Sequence, residues 1–579
     1  MPPPRIVDKG KATFVPTEPS QDGPDAFVLG TDWLGVLECP ASQFDPSHFY
    51  EAIMLQVMHP EYNSTTILRS DVLVDERFDQ EPGLSRRAPQ VNGLECTRRI
   101  RRRLIPKQTR DQALEQECWI YNRSRPEKQD SDDSIVDQAR LLVLDVDLDY
   151  LERENHRKMP YYHPTVASLA FSYIGNGETA TIRLDLRPLP SEPLPRPLPA
   201  SHRLYRTGLA LLRHLHSVAI GTKNGYEKRV NHDLLTDRDT VQDLYHELKE
   251  KYRADIESSL VDARITFRWM LHEWKEVTDP TKHVWEDVAI AAWLMVLWRG
   301  MYPESGGKPP GGFVDVGCGN GLLVYLLSCE GFSGYGVDLR ARKSWEAYSP
   351  SPDLRTTTLD PPTMLSLPGA PFPDSSFLIG NHADELTPWI PLFAARSTKC
   401  SFLNIPCCLH THTTRFTAQE YTIPGEFVQT LPKPRADFRF NASGPGKDKL
   451  ILVHPLIRPF FEPTPALFAS DAVMFSKENA NHASNAVTLS TKGRSDAYQL
   501  YLSHIMLQCG FVVEREALRI PSTRNFGLLG RFRVWDSVAE DEKDSVRMQW
   551  TDKIERCLSE VIESSKNTFV ARKPKGSSV

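Results

Sequence analysis

The spacing of apolar and polar positions changes character twice along the chain. From about residue 31 to 200 the apolar runs are short and β-branched. Leu141-Leu142-Val143-Leu144-Asp145-Val146-Asp147 and Thr179-Ala180-Thr181-Ile182-Arg183-Leu184-Asp185-Leu186 predict strands, the second by clear alternation. Six prolines then fall in twelve residues (Pro188, Pro190, Pro193, Pro195, Pro197, Pro199), a density that excludes a helix and predicts an extended linker and a domain boundary. Between 201 and 300 the period becomes helical, as in Val241 to Leu248. The greasiest stretch, Ala289 to Trp298, follows Glu286 and Asp287 and is about half the ~20 residues a membrane span requires, so it reads as a buried helix. After 310 the pattern becomes strand, glycine turn, helix and strand, repeated, which predicts a mostly parallel sheet with helices on both faces.

These changes divide the chain into a Pro-rich leader (1–30), a β-rich accessory domain (31–200), a helical segment (201–300), an α/β domain (301–540) and a terminal helix with a basic tail at Arg572, Lys573 and Lys575 (541–579). A chain of 579 residues exceeds one ordinary core, and no internal repeat points to a solenoid. The net charge of -6 gives no overall attraction to nucleic acid, so any such contact must come from local basic patches. The ten cysteines include no CxxC pair and the first residues have no apolar signal core, which predicts a reducing, cytoplasmic setting.

The strongest local signal is Phe313-Val314-Asp315-Val316, a short strand, followed by Gly317-Cys318-Gly319-Asn320-Gly321 and an apolar helix opening at Leu322. Glycines let the backbone approach a ligand closely, and the helix start adds oriented amides. Dehydrogenases use G-x-G-x-x-G in the same context. Here the spacing is G-x-G-x-G with Asp315 inside the strand, and an anionic strand residue suits the cationic ammonium and sulfonium of S-adenosylmethionine better than a pyrophosphate. A second strand ends in Asp338, where a ribose can donate two hydrogen bonds. Thr356-Thr357-Thr358-Leu359 reads as a third strand that places Asp360 near the adenine amino group.

Three blocks then carry a family resemblance: Phe313 to Val324, Gly336 to Trp345, and above all Leu378-Ile379-Gly380-Asn381-His382-Ala383-Asp384-Glu385-Leu386-Thr387-Pro388-Trp389-Ile390-Pro391. Together they resemble the eukaryotic tRNA (uracil-O(2′)-)-methyltransferases, which modify the uridine at position 44 of serine tRNA. Asp279-Pro280 with Lys282 to Ala292, Ile405-Pro406-Cys407-Cys408 and Leu518 to Arg524 extend it over about 260 to 535. Before Tyr150 only Arg101 to Lys107 with Asp111 match. The resemblance implies a class I, Rossmann-like methyltransferase that uses S-adenosylmethionine on a tRNA ribose; it supplies no catalytic base.

Chemistry must supply that assignment. A ribose 2′-hydroxyl is a poor nucleophile and needs a neighbour to take its proton. Groups at the carboxyl ends of the strands are placed for this, which makes His382, Asp384 and Glu385 after the fourth strand candidates, Asn381 a cofactor contact and Lys343 or Lys492 candidate lysines. Capping of a helix near Thr387-Pro388 is the alternative for the acidic pair. Cys407, Cys408, His410 and His412 invite a zinc reading, but adjacent cysteines wrap an ion poorly, so no metal is expected and they are read as pocket lining. Residues 86–110 hold nine arginines and lysines against Glu95 alone. Arg101, Arg102, Arg103 and Lys107 are therefore candidate phosphate contacts, with Arg340, Arg342, Arg519 and Arg524 beside the α/β site. A methyltransferase of protein or small molecules, and an inactive cofactor-binding tRNA scaffold, are the competing readings.

Overall fold

The computed structural model describes residues 14–19, 29–78, 88–107, 111–123, 140–155, 158–175, 177–225, 232–252, 280–432, 487–489, 493–566 and 568–569. The basic positions Arg86, Arg87 and Arg110, the candidate Lys492, and the tail residues Arg572, Lys573 and Lys575 lie outside them. The chain forms two compact units, Met1–Glu227 and Lys228–Val579.

The first unit is a seven-stranded antiparallel sheet, made of β1 (Leu34–Pro40), β2 (Ile67–Arg77), β3 (Leu94–Pro106), β4 (Leu114–Arg123), β5 (Leu141–Val146), β6 (Ser168–Ile174) and β7 (Thr181–Arg187). The strands lie in the order β1-β7-β6-β5-β4-β3-β2. One face buries Ile100, Ile120, Leu142, Leu144, Phe171, Ile182 and Leu184 against the helices α1 (Pro46–Met58) and α3 (Arg203–Lys223), while α2 (Leu148–Asn155) follows β5. The apolar stripe of α3 is Leu204, Gly208, Leu212, Leu215 and Ala219, spaced by three and four. A Cβ at Gly208 would lie 2.8 Å from Leu184, so glycine sets how closely the helix lies on the sheet. The division falls after residue 227 and not in the proline run, because Leu189 and Leu198 are buried and α3 completes the first core.

The described part of the basic run is strand β3 with Lys107 just past it, and the sheet pairs the strand's arginines. Arg98 pairs with Asp75, and Arg99 with Glu117 and Glu76. Arg101 pairs with Glu115 and Asp147, and Arg103 with Glu115. Arg102 is 3% exposed; its guanidinium donates to Gln116 and to the carbonyls of Gln56 and Val57, two of the orphan carbonyls in the last turn of α1. The expectation of Arg102 as a phosphate contact is corrected here, since it is a core residue, while Arg101 and Arg103 are partly exposed and share the buried Glu115 carboxylate. Lys107 is exposed just past β3.

The second unit begins with α4 (Arg238–Lys251) and α5 (Pro280–Met301). It continues with β8 (Phe313–Val316), α6 (Leu322–Cys329), β9 (Gly334–Asp338), β10 (Leu354–Thr356), α7 (Pro361–Ser366), β11 (Phe377–Asn381), α8 (Ile390–Arg396) and β12 (Ser401–Ile405). A small pair, β13 (Tyr421–Ile423) with β14 (Val487–Leu489), flanks α9 (Gly425–Gln429) in sequence. Then come α10 (Arg494–Gln508), β15 (Glu514–Ala517), β16 (Phe526–Gly530) and α11 (Lys543–Ser565). The main sheet runs β10-β9-β8-β11-β12-β16-β15, parallel from β10 to β12, with β16 antiparallel to both of its neighbours. It is therefore mixed. The apolar run of α5 is buried as the sequence predicts, with Trp298 packed on Phe313 and Phe377 of the sheet. Strand order reverses between β8 and β11, and the crevice beyond the carboxyl ends of strands at such a point is where open α/β sheets bind ligands.

Candidate functional site

A cavity of about 540 Å³ opens at this reversal. Its floor is the glycine turn. Gly317 and Cys318 donate to the Val337 carbonyl, and the amide of Gly319 donates to Asp338 Oδ2 at 3.0 Å. Gly319 holds φ 52° and Gly321 φ 77°, in the left-handed region that favours glycine. A side chain at Gly321 would also meet Leu354 at 2.7 Å. Asn320 braces the turn: its side chain accepts from the Leu322 amide at 2.8 Å, and its carbonyl accepts from the hydroxyls of Ser344 and Tyr348. It is not among the cavity walls, whereas Gly317, Gly319, Asp338, Arg340 and Arg342 are.

Beneath the turn lie three buried acids, Asp287 from α5, Asp315 from β8 and Asp338 from β9. Burial first, then the neighbouring Asp287 and Asp338, hold the Asp315 carboxyl well above the usual range. Burial and the charge of Glu286 push Asp287 up to about 7, although Asn381 donates to it at 3.2 Å. Asp315 Oδ1 is buried with no hydrogen-bond partner. Among the described residues neither Asp287 nor Asp315 has a lysine or arginine partner, while Arg342 stands 3.5 Å from Asp338. Uncompensated buried carboxylates are costly unless a cation completes them. A sulfonium and an ammonium suit this floor, and the carboxylate of Asp338 at the strand end suits ribose hydroxyls.

The wall opposite Asp338 is the turn after β11. His382 at φ 53° and Asp384 at φ 47° both adopt the left-handed conformation, which costs non-glycine residues on the order of 1–3 kcal/mol and persists only where the surroundings impose it. Here α5 and β12 impose it. Glu286 accepts from His382 Nε2 at 2.8 Å, the His382 amide donates to the Ile405 carbonyl, and Cys407 donates its thiol proton to Asp384 at 3.3 Å. Burial alone would raise Glu286, but the hydrogen bond and charge of His382, with a hydrogen bond from Ser522, hold it below the ordinary value. His382, Asp384 and Glu385 all line the cavity.

Glu286 and Asp287 are the functional residues that sequence reasoning missed. They read as the polar start of an apolar helix, and the available signal was an acidic pair directly ahead of a run that has no other charge. Other expected residues sit elsewhere. Asp360 starts α7 and accepts from Thr363, since β10 ends at Thr356 and two prolines open the helix; only Thr357, Thr358 and Leu359 of that segment reach the cavity. Lys343 is exposed on the turn after β9, outside the cavity walls. Arg519 is engaged by Asp233, and Asn381 faces Asp287. Of the four suspected zinc ligands only the cysteines converge, their sulfurs lying with an Asp384 oxygen within 4.8 Å. Burial and Asp384 raise the Cys407 thiol, which keeps its proton, while His412 is bonded to the Pro388 carbonyl.

Residues 13–229 match the family model of a TRM44-like, N-terminal bet v1-like domain, and residues 235–358 that of a predicted AdoMet-dependent methyltransferase. A tRNA (uracil-O(2)-)-methyltransferase of Neurospora crassa is 34% identical over 545 residues, 88% of each chain. That of Schizosaccharomyces pombe is 33% identical over 560 residues, 90% of this chain and 91% of the relative. That of Saccharomyces cerevisiae is 27% identical over 604 residues, 87% of this chain and 88% of the relative.

Proposed function

The chain belongs to the tRNA (uracil-O(2)-)-methyltransferase family, and from this we propose that it methylates the 2′-hydroxyl of a uridine ribose in tRNA, at position 44 of serine tRNA. Its methyl donor is S-adenosylmethionine. The second unit is then a class I, Rossmann-like methyltransferase domain whose β16 runs against the parallel strands. The observation that carries the reading is the cavity itself: Asp338 and the glycine turn on one side, with Asp287 and Asp315 buried beneath that turn without a basic partner among the described residues, and Asp384 and Glu385 in the wall formed by the turn after β11.

When bound, S-adenosylmethionine supplies an electrophilic methyl carbon on a cationic sulfur. The chain has to hold that charge, align the hydroxyl and take its proton. Asp315 and Asp287 offset the charge, and Asp338 with the Gly319 amide fixes the ribose of the donor. In the turn after β11 His382 gives one ring nitrogen to Glu286, which fixes its ring, and its other nitrogen is buried, so we assign His382 to holding the turn. The proton acceptor is accordingly assigned to Asp384 or Glu385. No helix among the described residues is long and apolar enough to cross a membrane, and the reading places the protein with tRNA in the cytoplasm. Mass spectrometry of nucleosides from serine tRNA tests it: cells lacking the protein lose 2′-O-methyluridine. Retention of that nucleoside refutes the assignment.

A further inference from the structure

Most arginines described in the molecule are answered by an acid or a carbonyl. Two exposed ones that face a common groove are not. Arg494, the first residue of α10, and Arg524, in the loop between β15 and β16, line a groove of about 370 Å³ with Ser495, Gln419 and Leu409. Both side chains are exposed, and neither has an ion-pair or hydrogen-bond partner among the described residues, although Arg519 five residues earlier in the same loop is held by Asp233. Asp496, in the same first turn of α10, is not among the groove walls.

Both sides of the groove are tied to the strained wall of the methyl-transfer cavity. On one side, the amide of Arg524 donates to the hydroxyl of Ser522, and Ser522 in turn bonds to Glu286, the residue that holds His382. On the other, Leu409 is two residues beyond Cys407, whose thiol donates to Asp384. Two residues of chain span at most about 7 Å. The groove therefore lies within a few residues of the 382–384 turn that forms one wall of the cavity.

We propose that this groove binds the phosphodiester backbone of the tRNA strand next to the nucleotide that is methylated, with Arg494 and Arg524 as its two cationic contacts. A guanidinium fork matches phosphate geometry with paired N–H donors, and an arginine without an internal acid can neutralise a phosphate without first breaking an ion pair. The proposal rests on the reading of the cavity as a tRNA methylation site. It also relocates recognition, from the strand β3 arginines that the fold consumes to two arginines that it leaves available.

The test uses the full chain and a serine tRNA transcript, with the dissociation constant measured between about 50 and 200 mM salt. The double variant R494A/R524A is expected to bind roughly tenfold more weakly, with the slope of log affinity against log salt reduced by about 1.4–1.8, or 0.7–0.9 for each phosphate contact. Melting temperature and S-adenosylmethionine affinity stay at the wild-type values, and R494K/R524K keeps the wild-type slope. Equal affinity and slope for wild type and R494A/R524A overturn the groove while leaving the enzyme reading intact. A lowered melting temperature or lost cofactor affinity in R494A/R524A also overturns it, by making the arginines structural. Absence of tRNA binding by the wild type refutes both readings.

Discussion

The two seven-stranded sheets treat charge in opposite ways. In the first unit strand β3 carries five arginines, and Asp75, Glu76, Glu115 and Glu117 of the neighbouring strands and Asp147 just past β5 answer them, or helix carbonyls take the buried guanidinium. In the second unit Asp287 on α5 and Asp315 on β8 are buried without a lysine or arginine partner among the described residues, and the sheet around them is apolar. Charge that the fold cancels is structure, and charge that it leaves uncancelled marks a place kept for a ligand. A basic run in sequence looks like a binding surface until its partners, 12 to 46 residues away, are known.

Five substitutions can break this comparison. The largest effect is expected at the cavity wall. Asp384→Asn or Glu385→Gln, whichever removes the proton acceptor, lowers single-turnover methyl transfer by about 10²–10⁴-fold with both ligands still bound. Should both variants instead lose about 1 kcal/mol of stability and stay active, the pair is a helix-start device and the wall is not chemical. On the floor, Asp338→Ala removes an acceptor for two ribose hydroxyls, and hydrogen bonds to a charged group are each worth about 1.5–3 kcal/mol. Affinity for S-adenosylmethionine measured by calorimetry should fall about 10²-fold or more with the fold retained. Unchanged affinity would place Asp338 outside the site.

The first unit supplies the contrasting case. Arg102→Ala leaves the Gln56 and Val57 carbonyls and the Gln116 side chain without their donor, at a cost of about 2–4 kcal/mol. Its melting transition should drop by roughly 5–15 °C, with cofactor affinity unchanged. A variant that melts normally and binds tRNA more weakly would restore the phosphate-contact reading of β3.

The smallest effect is a pH dependence. Asp287 titrates at about 7 in the folded chain and in the ordinary carboxylate range when unfolded, so between roughly pH 4 and 7 the folded state binds the extra proton. Stability from this group is present below that window and is lost as pH rises through it. Asp287→Asn cannot ionise, so relative to wild type its melting temperature should rise across the same window and level off above it. A difference that is flat with pH would mean that Asp287 is not strained by burial.

What the sequence made legible was local. The Phe313–Val316 strand, the turn to Gly321 and Asp338 are contiguous or spaced by one strand–helix unit, so their pattern survives without the fold. The turn from Asn381 to Glu385 was visible as a block, but not its left-handed backbone, because nothing in His382 or Asp384 announces a positive φ that Glu286 and Cys407 impose from distant elements. Asp360 went astray because the strand expected over Thr356–Leu359 ends at Thr356, and Pro361 and Pro362 open a helix directly after Asp360. The β-rich character of the first unit was readable, whereas the pairing of β1 with β7 and the membership of α3 depended on contacts spanning more than a hundred residues.

The most direct measurement is reconstitution. Purified full chain, S-adenosylmethionine and an unmodified serine tRNA transcript are incubated, and the RNA is digested and mapped by mass spectrometry. The account predicts one added methyl group, on the ribose of the uridine at position 44. A methyl group on a base, or transfer to protein or small molecules with none to tRNA, would contradict it.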